Sequence, residues 1–434
     1  MVQLVKKSIW VPCLIILTMV QFYRPFFFPQ GLFGGVKYLL FIAALLFFFT
    51  KGNNIFKVKT LLGNKIQWYA FLIALNCITC YLYRGQSIKL SLLSWESFFL
   101  MFFYPCFKSW DIPIHTWERV LERVFVILLC CYVLQYIFID VEIFDLDSAF
   151  DYLEKETRVR IYSSGLLTLG CLYSWNKLLT AKRGKRKYLI LFVVSLLMVF
   201  LQGFRMLIAS LGLMIFIMFV RINRFKIKNY IAIAVILFVT YSIAISMPIV
   251  QNKVDEIINR NETANLDNDD YVRVLSFNYF TNEHFKNALE HILGSGLTFI
   301  SVETSADGKS YIGKNIGSEY SKTMSQIAAW YHFYHVDWGL VGLTWVAGLP
   351  FTIFFIFILI YFARKKVGEN YYYLGMWEYM VIISGLTNPI SYYHHNIIYH
   401  ALVFVIIDLA HNEYKAREEA KSLPCSGKEV LVKA

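Results

Sequence analysis

Charge is what this sequence has least of. Only 17% of its 434 residues are Asp, Glu, Lys or Arg, against about a quarter in an ordinary soluble domain, and long stretches carry none. Too few solvated side chains remain to cover a globule, which excludes a soluble fold of ordinary composition. Cysteine is present eight times but missing where a disulfide would matter, since the long polar segment 250–337 contains none. Cys13, Cys77, Cys80, Cys106, Cys130, Cys131 and Cys171 lie in or at the ends of apolar blocks, and Cys425 lies near the C-terminus. A disulfide-stapled ectodomain is therefore excluded. No repeat of fixed period and no low-complexity segment occurs. A cleavable signal peptide is also lacking: the first apolar block, Trp10 to Phe28, is too long for an h-region, has no small-residue cleavage site, and reads as a retained helix.

What the sequence has in abundance is apolar surface. Hydrophobic residues make up 57% of the chain and aromatic residues 18%. They fall into blocks cut to bilayer thickness, separated by short basic clusters. The pattern predicts an all-α polytopic membrane protein of about twelve transmembrane helices, at 10–28, 32–50, 66–83, 91–107, 120–139, 161–179, 188–202, 206–220, 229–249, 338–362, 371–387 and 397–411. These spans divide the chain into four parts: an N-terminal bundle of nine spans (1–249), a large extracytoplasmic loop (250–337), three C-terminal spans (338–411) and a cytoplasmic tail (412–434).

Orientation comes from Lys and Arg, which cytoplasmic loops concentrate. Clusters at 6–7, 51–65, 108–123, 177–187, 221–228, 364–366 and beyond Lys415 hold 27 of the 42 basic residues. Placing them all inside puts both termini in the cytoplasm. The formal +12 charge is thereby an orientation signal, and no nucleic-acid partner is needed to explain it. Residues 188–220 form 33 apolar positions with basic clusters on both flanks. One helix of that length would run roughly 50 Å and strand one cluster outside. Two short helices turning at Gln202-Gly203-Phe204-Arg205 keep both inside and set Arg205 at the outer apex, avoiding the roughly 2.5–3.5 kcal/mol that an Arg costs at the bilayer centre. Segment 371–411 folds into a similar hairpin with its apex at Asn388 to Asn396.

The 250–337 loop is where function is to be sought, because helix packing alone does not require so long a polar segment. Its start, Asn252 to Asp270, is acidic and Asn-rich. From Tyr271 to Leu293, apolar residues recur at helical spacing, at Val272, Leu275, Tyr279, Ala288, Leu289 and Ile292, and predict amphipathic helices against the membrane or the bundle. Gly294-Ser295-Gly296 breaks the run, and a second helical stretch, Ser318 to Tyr334, leads into the next span.

Three local patterns in this part of the chain resemble the bacterial O-antigen polymerase and O-antigen ligase family, integral membrane glycosyltransferases of the GT-C type. Gly203-Phe204-Arg205 is similar to that family's Ser-Arg-small turn between helices. Arg273, followed by the apolar-periodic stretch ending in Leu293-Gly294-Ser295-Gly296-Leu297, is similar to its Arg…hPhhGhGh segment. Asp337-Trp338-Gly339-Leu340-Val341-Gly342-Leu343 is similar to the acidic-x-Gly-Ile-Ile-Gly-Leu pattern that opens the span after its large loop. The likeness covers roughly residues 185–362, in order and orientation. It implies a polyprenyl-pyrophosphate-linked oligosaccharide as substrate, handled at the outer face of the bacterial inner membrane. It also implies inverting glycosyl transfer without a cofactor, and a chain-length regulator and a flippase as partner proteins.

The residues offer chemistry that suits such a reaction. A departing diphosphate must have its charge neutralised, and Arg does so with a fixed fork. Catalysis then rests on holding the leaving group more tightly in the transition state than in the ground state. Arg205 is the leading candidate, although a snorkelling interfacial Arg would occupy the same place; Arg273 is the second, with a solvated loop charge as its alternative. Gly294 and Gly296 would let backbone approach the substrate. An acceptor hydroxyl also needs a base. In the ligase branch a His lies nine residues before the acidic position, and here that residue is Ala328, which shifts the expectation from ligase to polymerase. His332 and His335 lie nearby and have the right intrinsic pKa, although an aromatic belt around Trp330, Tyr331 and Tyr334 explains them equally. Tyr392, His394 and His395 crown the last hairpin, where they could hold a sugar or simply belong to such a belt. Glu96 lies inside a span and is a functional suspect by position, as is Glu378 more weakly, while Asp408 sits near the inner end. No ligand cluster points to a metal. A ligase passing glycan to lipid A core, and a flippase for the same lipid-linked units, are the competing expectations.

Overall fold

A computed structural model describes residues 9–25, 27, 39, 42, 59–138, 141, 143, 144, 163–202, 204–223, 272–298, 300, 302–304, 310–312, 318–331, 333–386, 390 and 396–422. The spans expected at 32–50 and 229–249, the acidic loop 140–160 and the segment 252–270 lie wholly or almost wholly outside these residues.

The described chain is helical apart from one antiparallel ribbon. In order the helices are α1 (Trp10–Val20), α2 (Lys65–Arg84), α3 (Ile88–Ser94), α4 (Glu96–Lys108), α5 (Ile114–Ile137), α6 (Ser164–Thr180), α7 (Lys185–Leu201), α8 (Arg205–Asn223), α9 (Val272–Asn278), α10 (Ala288–Leu293), α11 (Glu319–Tyr331), α12 (Gly339–Ala347), α13 (Leu349–Ala363), α14 (Tyr372–Ser384) and α15 (Ile397–Ser422). The ribbon pairs β1 (Val302–Thr304) with β2 (Ser310–Ile312), with Glu303 opposite Tyr311. Three of the described helices, α2, α5 and α8, are long and apolar enough to cross a membrane, and a fourth span results if α3 and α4 are taken as one broken crossing. The protein is thus a helical, membrane-associated one.

Four elements depart from the simple spans that hydrophobicity suggests. The first helix stops at Val20, where Gln21 turns left-handed with φ +59°. The block 91–107 bends by 64° at Trp95. Trp95 is completely buried: its indole N–H reaches Asn76 Oδ1 of α2 at 3.2 Å, and its ring meets Phe351 of α13 at 4.7 Å. The block 338–362 is two helices, because Gly348 adopts φ +87° and Pro350 sits in the first turn of α13. At the C-terminal end, α15 runs on to Ser422 through a charged stretch in which Lys415–Glu419 and Arg417–Glu413 pair one turn apart.

The core forms around α15, whose residues from Ile397 to Asp408 are all buried. It packs on α4, α5 and α14, while α14 packs on α6, α8 and α13. Two contacts fix which end of the bundle is which. Arg221, near the end of α8, lies over the ring of Tyr372, at the start of α14, so these helices are antiparallel. At the other end of α14, the carbonyl of Gly385 accepts a 2.6 Å hydrogen bond from Leu340 N, directly after the large loop. Arg205, at the start of α8, therefore lies at the same end of the bundle as that loop. At the opposite end three cations are paired with carboxylates: Lys108 with Asp408 at 3.0 Å, Lys177 with Glu118 at 2.7 Å, and Lys187 with Glu122.

Candidate functional site

The loop closes over the bundle where α12 ends. The last carbonyls of a helix have no partner within it, and the loop supplies them: Ser295 N donates to Trp345 O and Gly296 N to Val346 O, both at 2.9 Å. Asn76 of α2 completes the joint. Its Nδ2 donates to Leu293 O at 3.2 Å and to Val346 O at 3.0 Å, while its Oδ1 accepts from Trp95 Nε1 at 3.2 Å and from Leu297 N at 3.3 Å. One buried amide thereby uses its full hydrogen-bonding capacity to join two broken spans to the loop.

Glycine is what allows this approach. Gly294 and Gly296 have φ of +80° and +95°, the left-handed region that L-residues avoid. A Cβ on Gly294 would come within 2.4 Å of Gly348 N, and one on Gly296 within 2.2 Å of Cys80. The two residues singled out in the sequence as substrate-binding glycines are thus placed against protein, at the joint between loop and helices.

The electrostatic centre of the joint is an ion pair that hydrophobic pattern does not reveal. Arg84, the last residue of α2, grips Glu290 of α10 with both ends of its fork, Nε to Oε1 at 2.8 Å and Nη2 to Oε2 at 2.7 Å. It also donates to the carbonyl of His284, and its guanidinium lies 4.8 Å from the ring centre of Tyr320. The Glu290 side chain is fully buried and that of Arg84 is 6% exposed. A fork already occupied by a carboxylate is poorly placed to receive a diphosphate, so Arg84 acts here as the strap that fastens the loop.

Beside the strap, His284 Nε2 lies 2.8 Å from Ser295 Oγ and 3.4 Å from Tyr320 Oη. Burial, with Arg84 and His335 adding repulsion, pushes the His284 pKa down to about 3, so the imidazole is neutral near pH 7. Burial likewise lowers His335 to about 4 and raises Tyr320 to about 12. The backbone of His335 is pressed onto α12, where a Cβ on Gly342 would overlap its carbonyl. Phe280 stacks on Trp345 at 5.1 Å between ring centres and closes the apolar side. Gln86 seals the edge, donating to Leu297 O at 2.9 Å and accepting from Ser321 Oγ at 3.0 Å. In this closed arrangement two neutral imidazoles and two hydroxyls are held away from water, so proton transfer to either ring requires the joint to open.

The structure thus brings together Gly294, Gly296 and His335, and adds Arg84, His284, Glu290, Ser295 and Tyr320. Glu96, half-buried, follows Trp95 at the bend that abuts this joint. Arg205 is exposed at the start of α8, on the same end of the bundle but on a helix that packs against α6 and α14. Arg273 falls within α9, which is tied to the loop's last turn by Trp338 Nε1 donating to Ser276 Oγ at 3.0 Å. The side chain of Arg273, and His332, Tyr392, His394 and His395, lie outside the described residues. Among the described residues no three His, Cys, Asp or Glu side chains converge as a metal site would need. A second polar feature lies inside the bundle: His400 Nδ1 is 2.9 Å from Glu378 Oε2, both completely buried, under the ring of Trp377 at 4.7 Å.

A signal for the strap was present in the sequence. Arg84 is a basic residue on the side where the charge rule leaves few, and Asn76 is an amide in the middle of an apolar run. Their partners in and after the loop, 200 residues and more away, leave no local trace. A scan against protein-family models and a search of curated proteins both gave no match.

Proposed function

We propose that this protein is a polytopic membrane glycosyltransferase with twelve spans and both termini in the cytoplasm. It joins polyprenyl-pyrophosphate-linked oligosaccharide repeat units into a surface polysaccharide at the outer face of the plasma membrane. The observation that carries this reading is the placement of Arg205. Arg205, exposed, stands at the start of α8 just after the end of α7, at the same end of the bundle where the large loop is strapped down. A lipid-borne diphosphate lies at the head-group level, where such a group can meet it, and fixed cationic donors aimed at the leaving group are what this reaction needs most. The three sequence patterns shared with the O-antigen polymerase and ligase family support the same reading, and Ala328 in place of the ligase histidine favours the polymerase branch.

The reaction transfers the growing glycan from its diphosphate carrier to a hydroxyl of the next lipid-linked unit. The C–O bond to the carrier breaks and the diphosphate leaves with the electron pair; the acceptor hydroxyl forms the new glycosidic bond, and its proton ends on the released diphosphate. Arg205, with Arg273, balances the charge on the leaving group. Purified protein with lipid-linked repeat units tests the reading. A ladder of lengthening products supports it; transfer to lipid A core alone would mean a ligase. Movement of unaltered lipid across the bilayer would mean a flippase, the reading that the buried Glu378–His400 pair favours, because ionisable residues inside a bundle often mark transport paths.

A further inference from the structure

We propose that the end of the bundle opposite the loop carries a binding site for the phosphate headgroup of an anionic membrane lipid. A cavity of about 250 Å³ opens there between α8, α13, α14 and α15. Four cations line it, Arg221 from α8 and Arg364, Lys365 and Lys366 from the turn after α13, and no carboxylate does. Three lysines at this end are neutralised, Lys108, Lys177 and Lys187, by pairing with Asp408, Glu118 and Glu122. Among the described residues, none of the four cavity cations makes an ion pair with a carboxylate. Four cations without a carboxylate partner thus converge on one cavity, unlike those of the exposed 182–186 turn.

The walls are built rather than accidental. The guanidinium of Arg221 lies 4.2 Å from the ring centre of Tyr372, which holds it at the mouth without neutralising it. Lys365 is held similarly, 3.8 Å from the ring centre of Tyr361. Gly375 lets α14 close against the end of α13, where a Cβ would come within 2.8 Å of Ala363 O. Phe362, Met376 and Ile407 form the apolar back. A polar mouth rich in cations in front of an apolar wall between helices suits an amphiphile, with its phosphate at the mouth and its glycerol and upper chain against the wall. A free phosphate would use the mouth alone. The charge rule assigns this end to the cytoplasmic leaflet, where anionic lipid attracts juxtamembrane cations.

The test uses the full-length protein in nanodiscs of phosphatidylcholine containing phosphatidylglycerol as the anionic component. Native mass spectrometry of protein released from the discs reads how many phosphatidylglycerol molecules stay bound. The wild-type chain is expected to retain one in preference to phosphatidylcholine. R221Q and the double variant R364Q/K366Q are expected to lose that preference by roughly fivefold per neutralised cation, whereas K415Q, on the exposed end of α15, leaves it unchanged. Equal retention in wild type and cavity variants overturns the proposal. So does displacement of the retained lipid by millimolar inorganic phosphate, which assigns the mouth to the free ion. Should the variants fail to accumulate, a photoreactive phosphatidylglycerol analogue with the wild-type protein decides: cross-links on the peptides spanning 361–379 and Arg221 support the site, and cross-links only elsewhere overturn it.

Discussion

Arg84 and Glu290 hold two full charges away from water, and that burial determines what they contribute. A buried pair with good geometry adds little against a well-packed apolar substitute, but removing one member leaves the other uncompensated, at a cost of about 3–5 kcal/mol. Glu290→Ala and Arg84→Met each leave the remaining charge buried and unpaired, so both are expected to release the loop, and the double variant, which removes both charges, is expected to release it less. Limited proteolysis of the 272–298 segment measures this, and susceptibility in both single variants that matches the wild type would argue against the strap. Gly296→Ala should act at the same joint by steric means, because the new Cβ has no room beside Cys80 and the backbone is left-handed. His284 adds a dependence on pH. In the unfolded chain it titrates near 6.5, and in the folded protein near 3, so between these values the open state binds the extra proton. The histidine's contribution to closure is full above about pH 6.5 and is lost as pH falls toward 3. Hydrogen exchange through 284–298, corrected for the intrinsic rate, is expected to be faster at pH 5 than at pH 7, and to show a smaller difference in His284→Gln, where only His335 remains to titrate. Arg205→Ala tests the proposed chemistry: under that proposal it should abolish long polymer at normal membrane levels of the protein, and long chains persisting in it would remove the diphosphate role.

Among the elements, what the sequence shows depends on how far a signal reaches. The turn between α7 and α8 is one that two basic clusters and a length argument both demand, and among the described residues α7 ends at Leu201 and α8 begins at Arg205. The amphipathic helices of the loop were legible from periodicity, with α9, α10 and α11 inside the expected stretches. The breaks at Trp95 and Gly348 were not, because an apolar run reads as one span whether or not it is bent. Gly348-Leu349-Pro350 was the available clue, and its meaning lies in a contact: Leu293 O sits 2.3 Å from where a Cβ on Gly348 would be. The candidate site was legible to the same extent. Gly294 and Gly296 were marked by being glycine, whereas Arg84, His284 and Glu290 become a site only through pairings across 200 residues and more. The break in the span between α12 and α13 gives the loop its docking carbonyls, so Gly348→Ala is expected to loosen the 293–297 segment without removing any charge. Exchange rates there that match the wild type would mean the loop is held by the Arg84–Glu290 pair alone.

For the whole molecule, the proposed reaction depends on sidedness, because the loop, Arg84 and Arg205 must face the compartment that holds the lipid-linked glycan. The bundle has two chemically distinct ends. One carries the strapped loop; the other carries the paired lysines, the open cations of the 364–366 turn and the start of the charged helix beyond Asp408. A bilayer with its cytoplasmic leaflet at the second end satisfies the preference of Lys and Arg for that side. A reporter fused after Lys187 or Lys228 should then read cytoplasm, and one after Asn268 the outside. Fusions can perturb insertion, so a cysteine at 205, in a chain whose exposed Cys130 is replaced by serine, gives the independent measurement. An impermeant maleimide applied to intact cells with a permeable outer envelope should modify it, and should leave a cysteine at 364 untouched until the membrane is broken. Labelling in the reverse order would place the guanidinium of Arg205 on the wrong side of the lipid, where no polyprenyl diphosphate of an exported glycan leaves, and the loop would then have to serve another reaction.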